Sequence, residues 1–280
     1  MSCLRDRVKQ ILRSSGIHPR RRIGQNFVID ESIFDRMIGY ADLRKEDTVL
    51  EVGAGFGFLT ERLVKICSKV IAVEIDKRLV RFLEKRFKNI PNVELIHGDI
   101  LKVDVPHFNK VVATPPYSIS SNLIFWLLDR KFNVAVLTLQ DEFAKRLYAP
   151  VGSKDYCRLT VMVYYRAEVK GMDKVPRNSF YPQPKVDSRI VIIKHVRTPF
   201  KVKNYQFYKE LVNVLFTQRN RKVRNALISF MNKRSVAKSE ARKIADSISF
   251  SNRRVRTLAP EDLGMLSDEL LERMEKLNLR

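Results

Sequence analysis

Apolar positions along residues 30–140 follow two alternating rhythms. Behind Asp30, a candidate helix N-cap, Ile33, Phe34, Met37, Ile38 and Ala41 recur at helical spacing. TVLEVG (48–53) is a short apolar run, and Leu59, Leu63, Ile66 and Cys67 after it mark a helix face. KVIAVEID (69–76) repeats the strand, and Leu79, Val80, Phe82 and Leu83 repeat the helix. VELIHGD (93–99), KVVAT (110–114) and NVAVLTLQ (133–140) read as further strands, with a helix over 120–129 between the last two. Strands that are apolar throughout are buried on both faces. Their alternation with helices predicts an α/β fold built on a mostly parallel sheet. VMVYYRAEV (161–169) and SRIVIIKHV (188–196) have no helical pattern between them and predict an antiparallel addition at the sheet edge.

The rhythm changes after RTPFKVKN (197–204). Tyr208, Leu211, Val212, Leu215 and Phe216 form a helical stripe, and further helices are predicted over 220–232, 236–248 and 260–277. The expected organisation is a sheet domain with a basic N-terminal arm over 1–198 and a small all-helical domain over 199–280.

Composition narrows the function. Apolar residues make up 45% of the 280, enough to build a core. No apolar run approaches the ~20 residues of a membrane span, and the basic N-terminus lacks the apolar stretch of a secretory signal. Cys3, Cys67 and Cys157 are too far apart for a disulfide framework or a zinc site. The expectation is a cytoplasmic chain with no membrane and no metal. The net charge of +22 is concentrated in two segments. Residues 1–22 carry seven basic side chains against one acid, and residues 201–259 carry fifteen against three. A solvated surface would mix the signs, so this excess points to a polyanionic partner, nucleic acid first.

The candidate chemistry sits at strand ends. EVGAGFG (51–57) joins a strand to a helix, where α/β sheets bind nucleotide-like ligands. Its glycines are spaced G-x-G-x-G, and Glu51 would repel a pyrophosphate. The loop therefore suits a cofactor with a positive centre and no phosphate. Glu74 ends the next strand, about 20 residues beyond the glycines, where an acid accepts from ribose hydroxyls. Asp99, in GDI, is placed for an exocyclic amine. TPPY (114–117) ends the fourth strand in a proline-stiffened loop with an aromatic ring. Acceptors at position 114 and on the Pro115 carbonyl would localise the lone pair of a base amine, and Tyr117 would stack on the base.

Together these motifs resemble the KsgA/Dim family of S-adenosylmethionine-dependent rRNA adenine N6,N6-dimethyltransferases. The resemblance runs along nearly the whole chain: GQNFVID (24–30), EVGAGFGFLT, VEIDKRL, GDIL, TPPY, QDEFAKRL (140–147), KDYCRLTV (154–161), FYPQPKVDS (180–188) and FTQRNRKVRNAL (216–227) follow in order. It implies S-adenosyl-L-methionine as cofactor and a methyltransferase sheet with a C-terminal helical domain. Gln25, Asn26 and Val28 would lie against the cofactor, and Glu51, Gly53 and Gly55 near its methionine part. Glu74 and Ile75 would meet the ribose, and Asp99 and Ile100 the adenine. Thr114 would border the cofactor as well, and Thr114, Pro115, Tyr117 and Phe180 would meet the target base, with Phe180 stacking on it. Arg20, Arg21 and Arg22 in the arm, and Arg219, Arg221, Lys222 and Arg224 beyond 199, would contact rRNA phosphates.

The implied substrate is a pair of adjacent adenines in a 3′-terminal hairpin of small-subunit rRNA. It would be met as a pre-ribosomal particle by a monomeric enzyme. The family motif normally begins with Asn where this chain has Thr114, so slower transfer is expected. Two alternatives stay open on the residues alone: a 23S rRNA adenine methyltransferase, and a catalytically weak assembly or transcription factor that keeps the cofactor site.

Overall fold

A computed structural model describes residues 3–277, and Arg21 by its backbone alone. Nine strands occur among these residues: β1 (Phe27–Val28), β2 (Thr48–Val52), β3 (Lys69–Glu74), β4 (Val93–His97), β5 (Lys110–Ala113), β6 (Val134–Gln140), β7 (Ala167–Val175), β8 (Phe180–Tyr181) and β9 (Ser188–His195). Seven of these form one sheet in the order β4-β3-β2-β5-β6-β9-β7, while β1 and β8 form a separate two-stranded pair. Strands β2 to β6 pair in parallel, and β9 runs antiparallel to β6. From β2 the chain builds outward to β4, then returns to place β5 on the other side of β2. That reversal creates a crevice at the carboxyl ends of β2 and β5, where open α/β sheets bind ligands.

The central strands are as apolar as their sequence implies: Val49, Leu50, Val70, Ile71, Val111, Val112, Ala135 and Val136 are all buried. Helices cover both faces. They are α1 (Leu4–Ser15), α2 (Glu31–Ala41), α3 (Phe58–Leu63), α4 (Lys77–Arg86) and α5 (Ser120–Leu128). Asp30 caps α2 by accepting from the Ser32 amide. The start of the basic arm is itself a docked helix. Leu4 and Val8 of α1 enter the core of the sheet unit, and Gly16 ends the helix in the left-handed region. Burying such side chains contributes about 1.5–3 kcal/mol each.

Two expectations change. VMVYYRAEV does not form one strand: Arg158–Tyr164 is helical, following α6 (Asp141–Leu147), and is α7; only from Ala167 does the chain become β7. Leu159, Val161, Met162 and Val163 are all buried on that helix, and tertiary burial outweighs the strand preference of the β-branched Val161 and Val163. The compact units also divide differently from a cut near 198. One unit comprises residues 1–144 and 168–195, and the other 145–167 and 196–280. Residues 145–167 join the helical unit because their aromatic anchor lies there. Tyr156 is buried, its ring meets Phe216, and its hydroxyl donates to the Leu258 carbonyl at 2.8 Å.

The rest of that unit comprises α8 (Tyr205–Thr217), α9 (Val223–Asn232), α10 (Lys238–Ser247) and α11 (Pro260–Lys276). Its core includes Tyr208, Leu211, Leu215, Leu227 and Leu270. Among the described residues, no helix is long and apolar enough to cross a membrane.

Candidate active site and nucleic-acid interface

The crevice at the carboxyl ends of β2, β3 and β5 opens into two cavities that share Ile23, Gly53, Glu74, Ile75 and Pro116. The first is also lined by Gln25, Asn26, Val28, Glu51, Gly55, Thr114, Pro115, Tyr117 and Phe180. The second adds Arg22, Asp99 and Ile100. Every residue expected at the cofactor or the base therefore lines one cavity or both.

The glycine loop sets how closely the walls approach. Gly53 has φ +77°, and a Cβ there would lie 3.2 Å from Pro116 Cδ. A side chain at 53 would be strained and would press on the TPPY loop. Gly57 has φ +76°, and a Cβ would come within 2.6 Å of the Phe87 ring. These positions let the first turn of α3 sit tightly over α4.

Glu74 is held by backbone. Its Oε2 accepts from the Gly55 amide at 2.9 Å and its Oε1 from the Asp76 amide at 3.0 Å. Each oxygen keeps a lone pair for a ligand hydroxyl. Burial raises its pKa despite these amides. Glu51, on the adjacent strand, is 2% exposed and accepts from Thr60 Oγ1 at 2.6 Å. Burial, reinforced by the nearby Glu74 charge, pushes its pKa up to about 8. Among its described lining residues the first cavity contains these two carboxyl groups and no Lys, Arg or His. That donor set fits a cationic ligand without phosphates, as a sulfonium amino acid nucleoside is. Asp99 accepts from the Leu101 amide at 3.1 Å and lies beside buried Ile100, an acceptor next to an apolar wall.

The N-terminal segment lies across these cavities as a strap. β1 pairs with β8, with Val28 opposite Phe180. Asn26 Nδ2 donates to the Gly24 carbonyl at 3.1 Å. Gln25 has a role that the sequence does not reveal. Its Nε2 donates to Asp76 Oδ2 at 3.0 Å, and its Oε1 accepts from the Arg20 amide at 2.7 Å. Asp76 is also gripped by Arg78, whose guanidinium reaches the His18 carbonyl. The Arg78 bond, assisted by Gln25, lowers the Asp76 pKa to about 2. Gln25 thus lines the cavity while both of its polar ends tie down the strap.

The wall expected to meet the base is side-chain built. Thr114 and Pro115 follow β5, and Tyr117 opens a 3-10 turn over Tyr117–Ile119. Tyr117 hydroxyl bonds to Ser188 Oγ, and burial raises its pKa against the effect of that bond. Phe180 is 4% exposed and lines the same cavity.

These features can be set against known proteins. The model of the ribosomal RNA adenine dimethylase family matches residues 17–261. The chain belongs to that family. It is 44% identical over 251 residues to the probable ribosomal RNA small subunit methyltransferase A of Methanosarcina acetivorans, covering 89% of this chain and 92% of that one. The counterpart from Thermococcus kodakarensis is 41% identical over 263 residues, with 93% of each chain covered. Among solved structures, a dimethyladenosine transferase from Plasmodium falciparum superposes with a TM-score of 0.78 at 30% identity, covering 90% of this chain and 98% of that one. The 23S rRNA methyltransferase ErmE gives 0.64 at 29% identity, covering 88% and 99%. The fold is that of an S-adenosylmethionine-dependent methyltransferase, and S-adenosylmethionine is the dimethylase's cofactor.

The basic residues expected at rRNA fall into different environments. In the sheet unit Arg20 and Arg22 are exposed, while the side chain of Arg21 lies outside the described residues. In the helical unit two loops zip together through backbone. The Val223 amide donates to the Arg253 carbonyl, and the Val255 and Arg256 amides donate to the carbonyls of Arg221 and Arg219. This joins QRNRKVR to NRRVR (252–256), a cluster that sequence spacing does not bring together. Arg221 and Lys222 are exposed on it. Arg219 instead donates to the carbonyls of Ser153 and Lys154, and Arg224 pairs with Asp246 at 2.7 Å. Those two side chains carry structural contacts as well as charge.

Proposed function

We infer that the chain transfers methyl groups from S-adenosylmethionine to N6 of adenines in small-subunit rRNA. The observation that carries this reading is the pair of adjoining cavities that bring Glu51, Glu74 and Asp99 together with the TPPY loop. It occurs in a chain more than 40% identical over most of its length to proteins named as small-subunit methyltransferases. The lower identity to ErmE favours the small subunit over 23S rRNA. The finer reading is two adjacent adenines of a 3′-terminal hairpin, each methylated twice. The enzyme meets them as a cytoplasmic monomer on a pre-ribosomal particle.

When bound, the cofactor supplies a methyl group on a cationic sulfur. Glu74 accepts ribose hydroxyls on the lone pairs left by the Gly55 and Asp76 amides. Asp99 accepts the adenine amine of the cofactor, and Ile100 packs against its ring. Gln25, Asn26 and Val28 close the strap over it and exclude water. At the target base before its first methylation, Thr114 Oγ1 and the Pro115 carbonyl accept the two amine hydrogens, which directs the nitrogen lone pair at the methyl group. Tyr117 and Phe180 hold the extruded base between aromatic faces. Arg20, Arg21 and Arg22 in one unit, and Arg219, Arg221, Lys222 and Arg224 in the other, contact phosphates. Arg221 and Lys222 are the best exposed of the second set.

The test is incubation with labelled cofactor and small subunits that lack the methyl groups, followed by mapping of the label. Label on paired adenines near the 3′ end of small-subunit rRNA is expected. Label in 23S rRNA, or none at all, overturns the reading. Reversing Arg221 and Lys222 together to Glu should weaken RNA binding and lower the slope of log affinity against log salt by about one per lost phosphate contact. Cofactor affinity should not change.

A further inference from the structure

The prolines of TPPY fix the backbone that leads to Tyr117, but they leave its χ1 and χ2 free. The far end of the ring is held elsewhere. Tyr117 hydroxyl bonds to the hydroxyl of Ser188, the first residue of β9 and 71 positions away in sequence. Either oxygen can donate, so the pair satisfies two groups whose burial would otherwise be costly. Ser188 is 0% exposed.

Its backbone is anchored on both sides. Ser188 is in register with Gln140 of β6, and the preceding carbonyl, of Asp187, accepts from the Asp141 amide at 3.0 Å. The next residue, Arg189, reaches Asp141 Oδ1 at 2.6 Å and the Met172 carbonyl at 2.8 Å. The segment that ends at Ser188 also carries Phe180, a second aromatic residue lining the cavity, whose backbone pairs with Val28. One hydroxyl pair therefore connects the loop bearing one aromatic residue to the segment bearing the other.

We propose that Ser188 is a positioning residue for methyl transfer, its hydroxyl holding the Tyr117 ring in the plane that receives the target adenine. The proposal rests on the reading that Tyr117 meets the base. Because the Tyr117 hydroxyl is occupied by Ser188, recognition at this wall is by stacking on the ring face. Ser188 itself touches neither cofactor nor base.

Single-turnover methyl transfer at saturating cofactor and RNA tests this with Tyr117→Phe, Ser188→Ala, the double variant and Tyr117→Ala. Tyr117→Phe removes one oxygen and leaves the ring, so it guards against a folding failure in Ser188→Ala. Both single variants should slow transfer by roughly tenfold, within the range of coupled neighbouring groups. The affinities for cofactor and RNA should move less than about twofold, because the tie acts on the bound base. The double variant should be no slower than the slower single variant, since the two hydroxyls act as a unit. Tyr117→Phe at the parent rate overturns the proposal, and so do additive losses in the double variant. Slow Ser188→Ala beside normal Tyr117→Phe assigns Ser188 to packing and also overturns it. Tyr117→Ala separates the two layers. If it is slow while both hydroxyl variants are normal, only the tie fails; if it is normal, the underlying reading of Tyr117 fails.

Discussion

Glu74 ends one strand and Tyr117 follows another two places away in the same sheet, yet different kinds of group hold them. Glu74 is fixed by two backbone amides within 19 positions of it, and its neighbour Glu51 by the hydroxyl of Thr60, nine positions on. Tyr117 is fixed by one side chain 71 positions away. The carboxylates on the cofactor side are thus held by nearby chain, while the aromatic ring on the base side, like the strap residue Gln25, is held by a contact that exists only once distant segments have met. The physical consequence is a division of labour. Substitution in the cofactor half should act on affinity, and substitution in the base half on the rate of transfer.

The largest effect expected is for Glu74→Ala. It removes the ribose acceptor and leaves the Gly55 and Asp76 amides without their partner. At roughly 1–3 kcal/mol for such a loss, cofactor Kd should rise by about 5- to 150-fold in calorimetry. An unchanged Kd would break the comparison at its cofactor end.

Thr114→Asn should act on rate instead. A carboxamide oxygen reaches about one bond further than a threonine hydroxyl, whose β-branch also restricts its rotamers. Single-turnover transfer should speed up by roughly tenfold, equivalent to ~1.4 kcal/mol, with little change in RNA affinity. A variant no faster than its parent would place position 114 away from the amine.

Glu51 sharpens the comparison through pH. Its folded pKa is raised to about 8 by burial and by Glu74, so the folded chain keeps a proton that the unfolded chain releases near the usual carboxylate range. Stability should therefore fall as pH rises between about 4.5 and 8. Glu51→Gln should remove that slope, gaining several degrees of Tm relative to its parent at pH 8 but not at pH 4, since each kcal/mol moves Tm by about 2–4 °C. A cationic cofactor should favour the ionised form of Glu51. Its binding should accordingly strengthen between pH 6 and 8 in the parent and become flat in the variant.

The smallest effect concerns the strap. Asp76→Ala removes the acceptor of Gln25 and Arg78, and cofactor Kd should rise by roughly threefold, in line with about 0.5–1.5 kcal/mol for one net hydrogen bond. The folded pKa of Asp76 is depressed to about 2. Its stabilising effect is present above the ordinary aspartate range near 4 and is lost as pH falls through 2. The variant should show less loss of Tm between those pH values than its parent.

Legibility in the sequence follows the same division. The strand over 48–53 and the glycine loop after it were readable because a buried parallel strand is apolar throughout and its loop needs residues tolerant of positive φ. Glu74 and Asp99 were readable because parallel strands bring their carboxyl ends to one edge. The helix over Arg158–Tyr164 was not, because Val161 and Val163 favour strands and only burial in the helical unit overrides them. The tie of Gln25 to Asp76, the junction of the 219–223 and 253–256 loops, and the bond between Tyr117 and Ser188 left no periodic trace either.

By itself, then, the sequence determined the alternation of strands and helices over residues 30–140 and the polar group at each strand end there. Both are set by side-chain periodicity and by the backbone demands of single turns, which act over a few residues. Only the tertiary structure decided which side chains hold others in place: Ser188 on Tyr117, Asp76 on Gln25, and Tyr156 drawing residues 145–167 into the helical unit. Those choices depend on distance and burial between segments far apart in the chain. A pair of hydroxyls 71 positions apart carries no local signature until folding removes the water between them.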